Sequence, residues 1–399
     1  MSVDPDPHHQ QLDALRSAYP VYFDETSGCF FLTRYDDIRS YLLAPHSKDP
    51  DTARPGSFLD RAGKPVNPER PDDPASIGYM DAPAHGRIRN ILTKAFYRRI
   101  TNGRGMMERL AEEYLDRLVG RTSFDVVRDF AVPLPLDVFG RMLGLAQEEL
   151  PQFRTWAIAS FNVFQTNRTV EETFAMNSAN EAFSQWLDRA MEDRRVTPRD
   201  DLVTDLVQTQ DTADGLTDGE IRANCISLVV ASTMTTTDVI GSGARLLLDN
   251  PGELAKLRAE PGLIKATVEE VLRVEPPIES EWRVATHDLE IGGCPVHKGQ
   301  VVAVSLNGAN RDPEVFSEPH RFDITREHKP HMAFGAGEHI CVGAPLGRLT
   351  AQLALSALFR RCPDLALVEP AVAPDWRNLP FFRGLNSLLV VAPGGVQPG

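Results

Sequence analysis

The sequence predicts a mostly α fold in one domain with small peripheral β-sheets, and three observations carry that expectation. Apolar residues recur at three- and four-residue spacing through residues 84–275, as in RGMMERLAEEYLDRLVG and ETFAMNSANEAFSQWLDRAMEDRR. Strand-like pieces are few and short. A chain of 399 residues with 42% hydrophobic and 25% charged content supplies a sizeable core, and no Gly/Ser linker or composition break divides the helical region.

Taken in order, PVYFDE and GCFFLTR predict two strands near the start. Residues 49–83 are rich in Pro, Asp, Gly and Arg without periodicity, which predicts a long functional loop. Within the helical region, the capping box Thr217-Asp218-Gly219-Glu220 starts a helix that runs to Asn250-Pro251, about 48 Å at roughly 1.5 Å per residue. From about 276 to 399, WRVAT, DLEIGGCPVHKGQVVAV and LNSLLVVA predict further strands, with Gly292-Gly293 as a tight turn.

Charge and cysteine usage narrow the function classes. Lys and Arg number 42 against 56 Asp and Glu, a net −14 that repels phosphate polymers and anionic lipid, so nucleic acid is not an expected partner. The start MSVDPDPHHQQ lacks the basic and apolar regions of a secretory signal, and no uncharged apolar run approaches a membrane span. A cytoplasmic protein without a membrane partner is the expectation. Cysteines 29, 225, 294, 341 and 362 are odd in number and contain no C-x-x-C pair, against a disulfide framework or structural zinc.

Four patterns carry chemistry. Cys341 lies in a glycine-dense loop (Gly335, Gly337, Gly343) directly before an amphipathic helix, where backbone N–H groups and a helix N-terminus favour a thiolate that acts as nucleophile or metal ligand. The other four cysteines lack this setting and read as small buried hydrophobes. Midway along the long helix, Ser232-Thr233-Met234-Thr235-Thr236-Thr237 is rich in hydroxyls that bond back to the i−4 carbonyl and loosen a helix, as beside a ligand or as a buried polar patch. Glu270 and Arg273 stand one turn apart on a helix ended by Pro276-Pro277. Pro319-His320-Arg321-Phe322 adds a second arginine ahead of the cysteine loop.

In these motifs, their order and their spacing, nearly the whole chain resembles the cytochrome P450 family, haem-thiolate monooxygenases of the soluble bacterial kind. Phe334-Gly335-x-Gly337-x-His339-x-Cys341-x-Gly343 is similar to its haem-binding loop, and Glu270-x-x-Arg273 with Arg321 to its core-stabilising triad. The resemblance implies haem b held by Cys341 as proximal thiolate ligand of the iron, an electron donor that favours O–O cleavage. It implies propionate contacts from His85, Arg89, Arg283 and His339, with Phe334 and Gly335 against the cofactor. It makes residues 49–80 the lid of the distal pocket and Trp156–Thr166 its roof. Ala231, Ile278, Glu279, Phe381 and Phe382 fall at substrate-lining positions, which points to a largely apolar or aromatic-tolerant wall.

One departure bears on mechanism. The family's mid-helix motif pairs an acid with an alcohol that relay protons toward dioxygen; here the alcohol is Thr235 but the acid position holds Met234, which cannot titrate. Glu279 has two readings, a pocket carboxylate that pairs with substrate or restores the acid, or a side chain turned to water or a nearby arginine. Residues 82–107 and 339–362 contain Arg87, Arg89, Lys94, Arg98, Arg99, Arg104, Arg348, Arg360 and Arg361 and no acid. Such a patch would steer a small acidic ferredoxin, served by its reductase, to the thiolate side; the electron donors are expected to be separate proteins, with no fused flavin or iron–sulfur domain. The reading is insertion of one oxygen atom of O2 into a small organic substrate. Its rivals are a peroxygenase or an oxidative coupling or dehydrogenation enzyme, and a haem sensor or carrier without turnover.

Overall fold

The computed structural model describes residues 7–64, 67–165, 167–327, 329–370 and 372–399. Helix α1 (Pro7–Ala18) leads into β1 (Val21–Asp24) and β2 (Cys29–Leu32), which pair antiparallel, and then α2 (Tyr35–Leu43). The irregular stretch that follows contains only short turns and α3 (Phe58–Ala62), whose N-cap Ser57 accepts from the Asp60 backbone N–H. The sequence pattern missed α1, α2 and α3, which are short or strongly polar.

The helical body begins with α4 (Ala84–Asp116) and continues through the short β3 (Ser123–Asp125), α5 (Pro133–Leu143), α6 (Leu150–Ser160), α7 (Val170–Val196) and α8 (Leu202–Val207). Helix α9 (Asp218–Asp249) then runs through the core, with α10 (Pro251–Ala259) and α11 (Ile264–Val274) after it. The capping box is formed: Thr217 accepts from the Glu220 N–H while Glu220 accepts from the Thr217 N–H. An 18-residue window of α9 is apolar enough to cross a membrane, but 72% of it is buried in the protein, so packing consumes that surface.

The strand region comprises β4 (Ser280–Val284), the hairpin β5 (Leu289–Ile291) and β6 (Cys294–Val296), and β7 (Val301–Ser305). Gly292 and Gly293 make the hairpin turn with φ of +55° and +82°, as the dipeptide predicts. The run VVAVS of β7 is buried throughout and takes the interior of a mixed sheet ordered β1-β2-β7-β4, parallel to β2 and antiparallel to β4. Short α12 (Leu306–Asn310) follows, then a stretch without long elements, the cysteine loop and α13 (Ala344–Arg361). The chain closes with β8 (Ala366–Leu367) and β9 (Leu389–Val391), and β9 pairs with both β3 and β8. A large apolar core joins the helical body to α13; a second lies between the mixed sheet, α2 and α12.

Candidate functional site: the cysteine loop and the core helix

The loop before α13 is held open by backbone geometry that glycine alone accepts. Gly335 and Gly337 have φ of +67° and +75°, and a Cβ at Gly337 would fall 2.2 Å from the Leu42 carbonyl oxygen. The Cys341 N–H donates to the Phe334 carbonyl at 3.0 Å and closes the loop. Burial pushes the Cys341 thiol up; the backbone N–H groups of Gly343 and Ala344, with Arg89 and Arg348, offset this only in part. The setting alone therefore does not produce the free thiolate the sequence suggested. A coordinated metal would displace the thiol proton outright.

Cys341 is exposed although it lies deep in the protein. Ala231, midway along α9, is exposed too, and Ser232 and Thr235 are partly so, while Val229, Val230, Thr233 and Met234 around them are buried. Side chains exposed at the centre of a core helix face an internal cleft. Helix α13 crosses α9 at this level, a Cβ at Gly347 falling 3.7 Å from Thr236 Oγ1. The cleft thus runs between the sulfur and the small side chains of α9. Cys29, Cys225 and Cys362 are buried and Cys294 half-buried, the ordinary fate of free cysteine.

Basic groups gather beside the cysteine loop. Arg283 is 2% exposed; its Nη1 donates to Glu281 at 2.8 Å and to the Trp282 carbonyl, whereas its buried Nη2 has no partner. The rings of His85 and His339 lie 3.9 Å apart, and burial, then the neighbouring cations, holds His339 far below the usual imidazole range. His85 is buried and reaches Glu338 at 3.3 Å; Arg89 Nη2 donates to the Ile340 carbonyl at 2.6 Å. A lone thiol, an orphaned buried guanidinium N–H, two imidazoles and a second guanidinium around one cleft fit an iron porphyrin with two carboxylate tails.

Arg273 holds Glu270 through two bonds at 2.8 and 2.7 Å and caps the carbonyls of Asn310, Pro319 and Arg321. The expected third member is corrected: the Arg321 guanidinium is 53% exposed and pairs with Glu318, only its backbone joining the cluster. Arg326 supplies the second guanidinium instead, 3.1 Å from Glu270 Oε1. It lies five residues beyond Arg321 in a stretch without periodicity, so no spacing rule marked it.

The hydroxyl-rich turn does not break α9, which stays α-helical throughout. Thr233, Thr235 and Thr236 donate back to the carbonyls of Val229, Ala231 and Ser232 at 2.6, 2.7 and 2.7 Å. Met234 is buried and lines a cavity of about 280 Å³ with Thr233, Thr237, Ile158 and Phe161 of the roof, and Arg377. Glu279 is corrected as a pocket acid: its carboxylate accepts from Asn307 Nδ2 at 3.0 Å and meets His8 Nε2 at 2.7 Å, tying the residue before β4 to α1 and α12. Sequence reasoning overlooked Asp238, buried in α9 with Oδ2 2.7 Å from Arg377 Nη2 and Oδ1 unpartnered; burial pushes it up to about 7 against the pull of Arg377.

The remaining pocket candidates meet lid and roof. Phe382 is buried with its ring 4.4 Å from that of Phe164 in the roof, and Ile278 bridges to Phe382 through the backbone. Phe381, at φ +68°, stands 5.7 Å from Phe58 of α3 in the lid. Thr166, the last residue assigned to the roof, lies outside the described residues. The basic patch is smaller than its sequence suggests, because acids from other segments neutralise it. Arg87 pairs with Glu220, Arg98 and Arg99 with Asp205, Arg104 with Glu108, Arg348 with Glu269, and Arg360 and Arg361 with Glu112. Lys94 has no acidic partner among the described residues.

Comparison with known proteins agrees with this geometry. The family model Cytochrome P450 matches residues 55–364. Cytochrome P450 107B1 of Saccharopolyspora erythraea is 36% identical over 92% of this chain and 89% of its own length. The 6-deoxyerythronolide B hydroxylase of the same organism is 34% identical over 92% of this chain and 90% of its own. The structure of the bacillaene polyketide synthase cytochrome P450 PksS of Bacillus subtilis superposes with a TM-score of 0.86 at 31% identity, covering 97% of both chains. The chain belongs to the cytochrome P450 family and is a haem b monooxygenase.

Proposed function

We propose that this chain inserts one oxygen atom of O2 into a small, largely apolar organic substrate, with electrons from a separate small acidic ferredoxin and its reductase in the cytoplasm. The observation that carries this reading is the cleft between Cys341 and the exposed stripe of α9, with Phe381 and Phe382 on the turn that meets lid and roof. Haem, when bound, supplies the oxygen activation; the chain ligates, orients and excludes water. Cys341 would hold the iron, Arg283, His85, Arg89 and His339 the propionates, and Phe334 and Gly335 would back the ring. Ala231 and Ile278 would line the substrate side, and the Thr235 hydroxyl would hold the proton-bearing water nearest the cleft. Relatives named as a hydroxylase and as a nocardicin C N-oxygenase support the reaction class and not one substrate. Titrating a panel of apolar, aromatic and polar compounds into the ferric protein tests it: apolar or aromatic compounds should shift the haem absorbance toward high spin. A shift produced only by strongly polar or charged compounds would overturn the substrate class.

A second reading is favoured by Met234, a buried side chain with no titratable group beside Thr235, with Glu279 turned to His8. A positioned acid is worth roughly a hundred-fold or more in proton transfer. Turnover through ferredoxin should then leak electrons to peroxide, and the enzyme would work as a peroxygenase or oxidative coupling catalyst. Met234→Glu should raise the yield of product per electron severalfold if the relay is deficient; tight coupling in wild type, unchanged by the substitution, would refute the deficiency.

A further inference from the structure

Thr233 and Thr237, which line the cavity of about 280 Å³, stand one turn apart on the side of α9 away from Ala231 and Thr235. Their hydroxyls are spent on the carbonyls of Val229 and Ala131 at 2.6 and 3.0 Å, so they offer the cavity no free donor. Val132 and Leu136 at the start of α5, with Ile158 and Phe161 of the roof, extend an apolar wall. Arg377 is the only charged side chain on that wall among the described residues, and it is 25% exposed. Its Nη2 donates to Asp238 Oδ2 at 2.7 Å, whereas its Nη1 makes no hydrogen bond among the described residues.

A guanidinium with a spare donor in an apolar hollow selects a ligand by two features. A negative head completes a charge-assisted pair with Arg377, and an apolar body replaces water that finds few partners on the wall. Bare phosphate meets the first requirement and not the second. The volume lies near the lower end for sites that hold small organic molecules, roughly 300 Å³, so the ligand is short. We propose that this cavity is an accessory binding site for a short-chain organic carboxylate, its head on Arg377 and its tail between α9 and the roof. Leu379 of the turn that carries Phe381 and Phe382 also lines the cavity, so an occupant braces both the roof and that turn.

Binding moves a proton. Asp238 is buried, and burial pushes its carboxyl up to about 7 although Arg377 pulls the other way. A ligand carboxylate takes a share of the same guanidinium, and two acids cannot both stay ionised on it at low energetic cost. Asp238 therefore takes one proton from solvent as the ligand seats, and no other bond forms or breaks. Arg377 is the only charged group that acts on Asp238 among the described residues. Around the cavity, Arg168 is held by the carbonyls of Asn162, Val163 and Gln165, Asp137 by Arg154 and Tyr114, Arg383 by Glu275, and Asp375 by Asn386.

The test titrates octanoate into the ferric holoenzyme by isothermal calorimetry, in buffers of different ionisation enthalpy to count protons, with octanol and inorganic phosphate as controls. Octanoate should bind wild type roughly tenfold tighter at about pH 6 than at about pH 8, with close to one proton taken up at the higher pH. Asp238→Asn should bind equally at both without proton uptake, and Arg377→Met should weaken binding roughly tenfold or more, as for loss of a charge-assisted bond. Ile158→Trp, at a position already 51% exposed, should narrow the cavity and weaken binding with the charges intact. Saturating octanoate should also lower severalfold the concentration of an apolar substrate that gives half its spin shift; an unchanged midpoint would overturn the bracing. Octanoate binding unaltered by Arg377→Met and Ile158→Trp, or octanol bound as tightly, would overturn the site. If Arg377→Met does not fold, Asp238→Asn and Ile158→Trp decide, and wild-type behaviour in both overturns it. Octanoate that itself drives the iron to high spin in competition with an apolar substrate occupies the haem pocket, a result that overturns the accessory site and leaves the oxygenation reading standing.

Discussion

Arg273 uses all five of its N–H donors inside the protein, two on Glu270 and three on carbonyls of the segment that leads to the cysteine loop. Arg273→Ala should cost about 3–5 kcal/mol, the range for removing one partner of a buried pair, and yield haem-poor or aggregated protein. Arg321→Ala, by contrast, should leave the melting temperature close to that of wild type, because that side chain is exposed. Thermal melts of the two variants check both, and equal losses would restore Arg321 to the cluster. His46 gives a pH signature of the fold. It is buried, its ring 4.1 Å from that of Tyr41, and burial, then His287 and Arg283, lowers it to about 4. A depressed folded value means the neutral ring is favoured by folding. That stability is present above the unfolded value of about 6.5 and is lost as pH falls from there toward 4. Denaturant melts should show wild type losing stability relative to His46→Gln across this window; parallel curves would contradict it.

Among elements, the turn carrying Phe381 and Phe382 is the most tightly constrained part of the pocket. Arg377 donates its backbone N–H to the Gly384 carbonyl at 2.7 Å and its guanidinium to Asp238, and a Cβ at Gly384 would fall 2.0 Å from Asp238 Oδ1. Arg383 binds Glu275 at 2.6 Å and stacks on Trp376. Gly384→Ala should therefore push the turn off α9, costing about 1–3 kcal/mol as overpacking does, and weaken substrate-induced spin shifts while haem stays bound. Unchanged substrate affinity would show that the turn does not shape the pocket. This element also shows where sequence legibility stopped. Phe381 and Phe382 were visible through a motif, but Asp238 reads as one polar residue in an apolar helix until Arg377, 139 positions away, is brought to it. Glu279 was ambiguous for the same reason, since its partners His8 and Asn307 lie in distant short helices. Arg326 shows the limit again: an arginine in irregular chain has no period to mark its side as inward.

At the scale of the molecule, the long helices were legible because caps and apolar period coincide, α9 above all, where Thr217 and Glu220 close the box predicted for them. The short elements α2 and α12 were not, because they are stabilised by packing against the mixed sheet and its core more than by local pattern. Charge behaved differently still. The two acid-free segments are contiguous in sequence, yet the fold lays acidic side chains from α4, α8, α9 and α11 against most of their arginines, so a count along the chain overstated the field. What the whole molecule does preserve is convergence. The loop of Gly335 and Gly337, the cations around Arg283 and the exposed stripe of α9 all border the cleft at Cys341. The absorbance spectrum of the reduced protein under carbon monoxide tests that convergence most directly. Wild type should show the strongly red-shifted band of thiolate-ligated haem, and Cys341→His should lose it while retaining haem; a wild-type spectrum like that of a histidine-ligated globin would contradict the account.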